Sequence, residues 1–299
     1  GLYAENKAIY ELLCAGKSME EDLPDGTRQS FDLSFIDFEH PENNTFQVTD
    51  EFEVERPNGK FARPDIVVLV NGIPLVVIEC KKSSVDVMEG VNQNIRNWGE
   101  EYISHLFRYT QLVLAMNPDK VLYGTCGTPA KYFVSWHEDD KEWLNNWCRK
   151  CYPDGQIKEQ DRDLVSLLHP DRLLELIRNF IIYDNTVKQI CRYKQNFAVK
   201  QCMKRILLQE GADTRNGVVW HTQGSGKTIT MIMLTKMILR ESMKLGSSIK
   251  RPRFVMVTDR INLDKQIRDN FIHTQMSPHR AKTGKGLIEL LKEDGNTVI

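Results

Sequence analysis

The 299-residue sequence lacks any apolar run of the roughly 18 residues that a membrane span requires. Its first residues also lack the charged and apolar pattern of a secretory signal peptide. The seven cysteines have no regular spacing, and the single CxxC has no second cysteine pair or histidine at zinc-site spacing. These absences predict an intracellular chain without membrane spans, disulfides or structural zinc.

Repeats, low-complexity segments and Gly/Ser/Pro linkers are absent too, although the length suffices for about two domains. The net charge, however, differs between the two parts of the chain. Residues 1–180 hold 19 Lys and Arg against 31 Asp and Glu, a net −12, whereas residues 181–299 hold 21 against 10, a net +11. The second part suits a polyanion, although solubility alone can also cause such a difference. We predict two domains, residues 1–183 and 184–299.

Hydrophobic periodicity predicts an α/β protein. In residues 1–183 it indicates a mixed sheet flanked by helices. In residues 184–299, strands alternate with helices, which is typical of a doubly wound parallel sheet. The predicted strands of that sheet are 217–222, 253–259 and 296–299, and its predicted helices are 227–243 and 261–272.

Residues 63–82, RPDIVVLVNGIPLVVIECKK, hold two apolar runs around Asn71-Gly72, a strong hairpin signal. Asp65 lies at the far end of one run, and Glu79 and Lys81 lie at the far end of the other. Such an apolar strand pair belongs in a sheet covered on both faces. Buried carboxylates are costly there unless they are paired or coordinate a metal. The alternative is that they cap the strand ends, with Lys81 as their salt-bridge partner.

The turn decides whether these side chains can meet. A strict two-residue turn would place Asp65 opposite Ile78, on the other face from Glu79. A three-residue loop or a β-bulge would shift the register by one residue and bring Asp65 to the face that Glu79 shares with Lys81. A metal site therefore requires an odd loop or a bulge, and we predict one rather than the simple two-residue hairpin.

The second part carries HTQGSGKT, residues 221–228, between a predicted strand and a predicted helix, the context of a phosphate-binding loop. The backbone N–H groups of Gly224, Ser225 and Gly226 would surround phosphate oxygens at a helix N-terminus. Lys227 would reach the β- and γ-phosphates of ATP, and the Thr228 hydroxyl would ligate Mg²⁺. The strict pattern has Gly at position 221, where this chain has His.

An Asp-Glu pair at the end of a later strand usually completes such an ATPase site. None follows the loop here, because Asp259 ends a predicted strand but is followed by Arg260. We therefore expect a truncated product that binds nucleotide and does not hydrolyse it.

Together these features resemble the restriction (R) subunit of type I restriction–modification enzymes. That subunit joins an N-terminal PD-(D/E)xK endonuclease domain to a RecA-like superfamily 2 helicase motor. Pro64-Asp65 with Glu79-Cys80-Lys81 matches the nuclease signature, and HTQGSGKT is similar to motif I of the motor. RYKQNFA (192–198) resembles the glutamine-bearing motif, and TDRINLDKQ (258–266) resembles a motif near the DNA backbone. The resemblance covers nearly the whole chain.

The resemblance implies that Asp65, Glu79 and the backbone carbonyl of Cys80 hold Mg²⁺, while Lys81 orients a water. It also implies a supporting role for Gln93. The family often has Gln-x-x-x-Tyr here, whereas this chain has Asn97 at the position of the tyrosine, followed by Trp98.

For the motor, the resemblance implies that Gln195 reads the adenine of ATP. Further candidate contacts to DNA are Lys60, Arg63, Lys82, Asp259 and Arg260.

The resemblance further implies double-stranded DNA, modification (M) and specificity (S) subunits, ATP and Mg²⁺ as partners and cofactors. The expected activity is cleavage of unmodified foreign DNA in the cytoplasm of a bacterium or archaeon. Three alternatives stay open: a superfamily 2 translocase with a non-catalytic DNA-binding N-terminal domain, a kinase or transporter-type ATPase, and a non-enzymatic interaction domain.

Overall fold

The structure is a computed structural model that describes residues 1–185, 187–207 and 216–293. Its helices are α1 (Leu2–Ala15), α2 (Val87–Asn97), α3 (Ser104–Phe107), α4 (Lys141–Cys151), α5 (Glu159–Leu168), α6 (Pro170–Asn179), α7 (Tyr193–Leu207), α8 (Lys227–Met243), α9 (Ile261–His273) and α10 (Gly284–Lys292). Its strands are β1 (Lys17–Asp22), β2 (Arg28–Leu33), β3 (Phe46–Asp50), β4 (Val54–Glu55), β5 (Phe61–Ala62), β6 (Ile66–Val70), β7 (Ile73–Cys80), β8 (Leu112–Asn117), β9 (Lys120–Gly124), β10 (Ile181–Asp184) and β11 (Val187–Ile190). None of the helices in the described ranges is long and apolar enough to cross a membrane.

The chain divides into two units. The first comprises Gly1–Ile181 and Thr186–Ile190, and the second comprises Ile182–Asn185 and Cys191–Ile299. The domain boundary that we place between residues 183 and 184 stays a prediction.

A five-stranded sheet in the order β3-β6-β7-β8-β9 forms the centre of the first unit. β7 and β8 run parallel, and the other neighbours run antiparallel. Helix α2 packs against β7 and β8, because its apolar residues Val87 and Val91 join the buried cluster that contains Val67 and Val77. This unit therefore has the mixed α/β architecture, with helices beside the sheet, that the sequence predicts.

Both faces of the β6–β7 hairpin are buried, as its apolar pattern requires. Val67 and Val77 are fully buried on the face that α2 covers. Val76 and Ile78, whose side chains alternate with these along β7, are buried as well. The polar groups at the end of this hairpin therefore lie at the edge of an apolar interior. Packing largely fixes their surroundings.

The helix α2 approaches the sheet closely at Gly90. A Cβ atom added there would lie 3.1 Å from Cβ of Ala115 and 3.5 Å from both the Glu79 carbonyl oxygen and Cγ of Lys81. A larger residue would force Ala115 or the helix to move, so the glycine allows the helix backbone to lie this near the end of β7. The polar residues of the following turns of α2 thereby come within reach of Glu79 and Lys81.

The described residues of the second unit include the predicted helices, whereas they do not confirm the predicted sheet. Helix α8 covers residues 227–243 as predicted, α9 differs from its prediction by one residue, and both α7 and α9 pack on α8. Residues 217–222 and 253–259 form no strands, apart from a single bridge residue at Phe254. Val218 and Val257 are 88% and 90% exposed, so neither segment has the covering that a parallel strand requires. The predicted strand 296–299 lies outside the described residues, and the RecA-like sheet is not confirmed.

The close approach at Gly90 leads to a stability prediction. We expect Gly90→Val to lower the free energy of unfolding by about 2 kcal/mol more than Glu89→Val does, because only the first substitution drives a side chain into Ala115. Glu89 is exposed on the same helix, so its replacement introduces a valine that does not face the sheet. Urea unfolding of the two variants measures the difference, and equal losses of stability would contradict the close packing.

Candidate active site

The Asn71-Gly72 turn is a plain two-residue turn. Val70 pairs with Ile73 across it, and both turn residues have positive φ, 52° at Asn71 and 80° at Gly72. Positive φ at both central positions belongs to the hairpin turn that Asn-Gly favours. The expectation that the turn itself would not be a simple two-residue hairpin is therefore wrong, because local backbone chemistry sets the turn.

A β-bulge in β7 supplies the predicted change of register. The pairing shifts between Val68 and Leu69, so that Leu75 has no residue of β6 opposite it. Beyond the bulge Ile66 pairs with Ile78, which places Asp65 and Glu79 at the next opposed positions of the two strands. The odd register is confirmed, and it brings both carboxylates to one face.

Asp65 is half-buried and lies against the end of β7. Its Oδ2 accepts a hydrogen bond from the backbone N–H of Cys80 at 2.6 Å. The carbonyl of Asp65 accepts another from the N–H of Glu51 at 3.0 Å. The first bond fixes the Asp65 carboxylate at the end of β7, next to Glu79, and the second extends the pairing of β3 with β6 by one residue.

Glu79 is fully buried, with one oxygen held and the other free of hydrogen bonds. Its Oε1 accepts a hydrogen bond from Nδ2 of Asn97 at 3.1 Å. Its Oε2 is buried, accepts no hydrogen bond from the described residues, and lies 3.8 Å from Nζ of Lys81. Burial and the adjacent Asp65 charge raise the pKa of Glu79 to about 8, against the opposing charge of Lys81.

Lys81 is oriented by helix α2. Its Nζ donates a hydrogen bond to Oε1 of Gln93 at 2.8 Å. Gln93 and Asn97 are four residues apart and therefore lie on one face of the helix. The structure thus brings Asp65, Glu79, Lys81 and Gln93 together, as their candidate roles require.

Sequence reasoning missed the contact that Asn97 makes. Asn97 is buried and holds Glu79, whereas Trp98 packs edge-on against Phe107 in the core with 5.9 Å between ring centroids. Asn97, not Trp98, therefore occupies the place beside the carboxylate. The four-residue spacing from Gln93 was the signal that could have assigned this contact.

The residues present fit a hard divalent cation. Asp65 and Glu79 offer carboxylate oxygens, and the buried Oε2 of Glu79 has no hydrogen-bond partner among the described residues. Groups of three or more His, Cys, Asp or Glu arranged around a metal do not occur in the described ranges. Mg²⁺ suits such a sparse set, since it is commonly bound by one or two carboxylates and keeps several waters. The role of the Cys80 carbonyl stays a prediction.

The basic residues around this site differ in how they are engaged. Lys60 and Lys82 are exposed. Arg63 is also exposed, but its Nε donates a hydrogen bond to Oε1 of Glu53 at 2.8 Å. Arg63 is therefore already ion-paired, whereas the two lysines point to solvent.

The phosphate-loop segment turns sharply before α8. Gly224 and Gly226 have φ of 77° and 80°, the left-handed region that favours glycine. Nζ of Lys227 donates to the carbonyl of Thr222 at 2.9 Å, and the Ser225 hydroxyl donates to the same carbonyl at 2.7 Å. Helix α8 begins at Lys227, so its free N–H groups face this turn, and Thr228 lies in the first helical turn.

Gln195 is attached to this loop. Its Nε2 donates to the carbonyls of Ser225 and Gly226, both at 3.2 Å, and its Oε1 accepts from the N–H of Arg192 at 2.8 Å. A Cβ at Gly226 would come 2.6 Å from Nε2, so the glycine is needed for this contact. The Gln195 amide therefore holds the loop, and its role in reading adenine stays a prediction.

Asp259 and Arg260 lie directly before α9. Both are exposed, with 3.9 Å between Nε of Arg260 and Oδ1 of Asp259. The carbonyl of Arg260 accepts the N–H of Asp264 in the first turn of the helix. The structure leaves both side chains accessible, and their DNA contacts stay a prediction.

Two segments of the sequence match known protein families. Residues 2–132 match the family described as the type I restriction enzyme R protein N terminus, and residues 194–299 match the SWI2/SNF2 ATPase family.

Individual relatives match most of the chain. The putative type I restriction enzyme MjaIXP endonuclease subunit of Methanocaldococcus jannaschii is 31% identical over 98% of this chain and 29% of its own length. The type I restriction enzyme HindI endonuclease subunit of Haemophilus influenzae is 31% identical over 90% of this chain and 25% of its own length. The chain spans less than a third of the length of these relatives.

The hydrogen bonds from Gln195 to the phosphate loop lead to a prediction about ATP binding. We expect Gln195→Leu to weaken ATP binding about tenfold, because two loop carbonyls lose their donor and the loop loses its fixed shape. Gln201→Leu is the matched control, since Gln201 is exposed on the same helix. Titration with a fluorescent ATP analogue measures both, and equal affinities for Gln195→Leu and the unsubstituted chain would refute this role.

Proposed function

We propose that the chain carries the DNA-cleaving site of a type I restriction enzyme endonuclease subunit, because residues 2–132 match the N-terminal family of these proteins and two such subunits align with 90% or more of the chain. The observation that carries this proposal is the bulge in β7, which brings the carboxylates of Asp65 and Glu79 together beside Lys81. Two carboxylates and a lysine at the adjacent ends of two paired strands are a suitable set for metal-dependent hydrolysis of a phosphodiester.

The chain's own residues have separate roles in this mechanism. Asp65 and Glu79, with the Cys80 carbonyl, would hold Mg²⁺, which supplies polarisation of the phosphodiester and a lowered pKa of water when it is bound. Asn97 keeps Glu79 in place through its hydrogen bond to Oε1. Nζ of Lys81, oriented by Gln93, orients the attacking water and offsets the negative charge that develops on the phosphate.

The second unit would bind ATP. The backbone N–H groups from Gly224 to Gly226 surround the phosphates in this proposal, while Lys227 and the Thr228 hydroxyl contact the terminal phosphate and its Mg²⁺. The match of residues 194–299 to an ATPase family supports it. The 299 residues contain no Asp-Glu pair after the loop, so we expect binding without hydrolysis by this chain.

In the whole protein, ATP-driven translocation of double-stranded DNA would precede cleavage of unmodified DNA in the cytoplasm. The modification and specificity subunits would be its partners, and the specificity subunit would read the target sequence. The relatives' names as endonuclease subunits of type I restriction enzymes support this assignment.

Substitution of Lys81 tests the nuclease directly. In the complete protein assembled with its partner subunits, we expect Lys81→Ala to reduce DNA cleavage at least 100-fold, because one charged group that acts on the reacting phosphate is removed. ATP-driven translocation should continue. Lys17→Ala, at an exposed position of β1, is the control and should cleave normally.

The opposite result would support a different function. If Lys81→Ala cleaves DNA as fast as the unsubstituted enzyme, Lys81 has no catalytic role and the nuclease proposal fails. If the unsubstituted enzyme translocates DNA without cleaving it, the result favours a translocase whose N-terminal unit only binds DNA.

A further inference from the structure

Two arginines of the first unit lie against one tyrosine ring beside the candidate active site. The guanidinium carbon of Arg56 is 4.2 Å from the ring centroid of Tyr102, and that of Arg96 is 5.3 Å from it. We propose that this arginine pair, Arg56 and Arg96, binds the phosphodiester backbone of duplex DNA next to the scissile bond. The inference rests on the proposed function only in taking DNA as the ligand.

Arg96 is close to the site by its position in α2. It directly precedes Asn97, which holds Glu79, and it follows Gln93, which holds Lys81, by three residues. The same end of α2 therefore carries Arg96 and the two residues that hold the candidate catalytic groups.

Arg56 reaches the same ring from a different element. Arg56 follows β4. Its backbone N–H donates to the backbone carbonyl of Lys60 at 2.7 Å, and this bond closes the turn before β5. The exposed Lys60 is thus held on the same turn. The turn and the end of α2 together present cations from two elements.

Neither arginine has an ion-pair partner in the described part of the chain, which is also true of Arg149 and Arg162 in this unit. The other arginines of the unit that carry ion pairs to Asp or Glu are Arg28, Arg63, Arg108, Arg172 and Arg178. In contrast, the buried Nε of Arg56 has no hydrogen-bond partner among the described residues. An unsatisfied buried donor is costly, and an anionic ligand would remove that cost.

The ligand class follows from the chemistry of the pair. A planar guanidinium presents a fork of N–H donors that matches a phosphate, and stacking on an aromatic ring restricts its motion before the ligand arrives. Residues 1–180 carry a net −12, so DNA would approach this part of the chain only where unpaired cations are gathered. Such contacts position the backbone and do not read sequence.

The test is a salt titration of DNA binding by the 299-residue chain, measured by fluorescence anisotropy with a short duplex and no divalent metal. Removing one cation that neutralises a phosphate should reduce the slope of log affinity against log salt by about 1. We expect Arg56→Gln and Arg96→Gln each to weaken binding roughly fivefold to tenfold at low salt, and the double variant to reduce the slope by about 2.

Arg28→Gln is the matched control, because Arg28 is exposed and ion-paired on β2. The DNA affinity and salt slope of this variant should equal those of the unsubstituted chain. Tyr102→Phe keeps the aromatic ring and should leave the DNA affinity unchanged, whereas Tyr102→Leu removes the ring and should weaken binding. Thermal unfolding of each variant checks that it is folded.

An unchanged slope and affinity in the double variant would overturn the inference, as would the absence of DNA binding by the unsubstituted chain. The result is separate from the nuclease proposal. If the double variant binds DNA more weakly while Lys81→Ala still cleaves, the arginine pair stands and the nuclease fails. If Lys81→Ala abolishes cleavage while the double variant binds normally, the nuclease stands and the arginine pair fails.

Discussion

The candidate site depends on one extra residue in one strand. Without Leu75, the two-residue Asn71-Gly72 turn and the alternation of side chains could not coexist with two carboxylates on one face. The bulge costs a break in the β6–β7 ladder, and that cost is offset by the burial of most apolar side chains of the hairpin around it. The proposed chemistry at Asp65 and Glu79 is therefore set by backbone register before any side chain is positioned.

Helix α2 then turns this carboxylate pair into an organised site. The glycine at position 90 lets the helix approach the end of β7, and Gln93 and Asn97 extend from the next turn to Lys81 and Glu79. Both helpers are neutral amides, so they hold the charged groups without cancelling them. The Glu79 carboxyl still has a raised pKa, and a bound cation would lower it.

Short-range sequence patterns predicted much of this arrangement, whereas features that depend on tertiary packing were less predictable. The Asn71-Gly72 hairpin and helix α8 follow from short-range patterns, whereas the bulge was predicted from the chemistry that Asp65 and Glu79 would need. The contact from Asn97 required knowledge of how closely α2 packs. Residues 217–222 and 253–259 are apolar enough for strands, but a parallel strand forms only with neighbouring strands, and the described residues supply none.

A crystal structure of the chain soaked with Mn²⁺, with anomalous scattering used to locate the ion, would show whether the two carboxylates form a metal site. We predict an anomalous peak about 2.2 Å from carboxylate oxygens of both Asp65 and Glu79, since Mn²⁺ shares the preference of Mg²⁺ for carboxylate oxygen. The same soak of Glu79→Gln crystals should show no peak there. A saturating soak that leaves the space between the two carboxylates empty in the unsubstituted protein would contradict the proposed metal site.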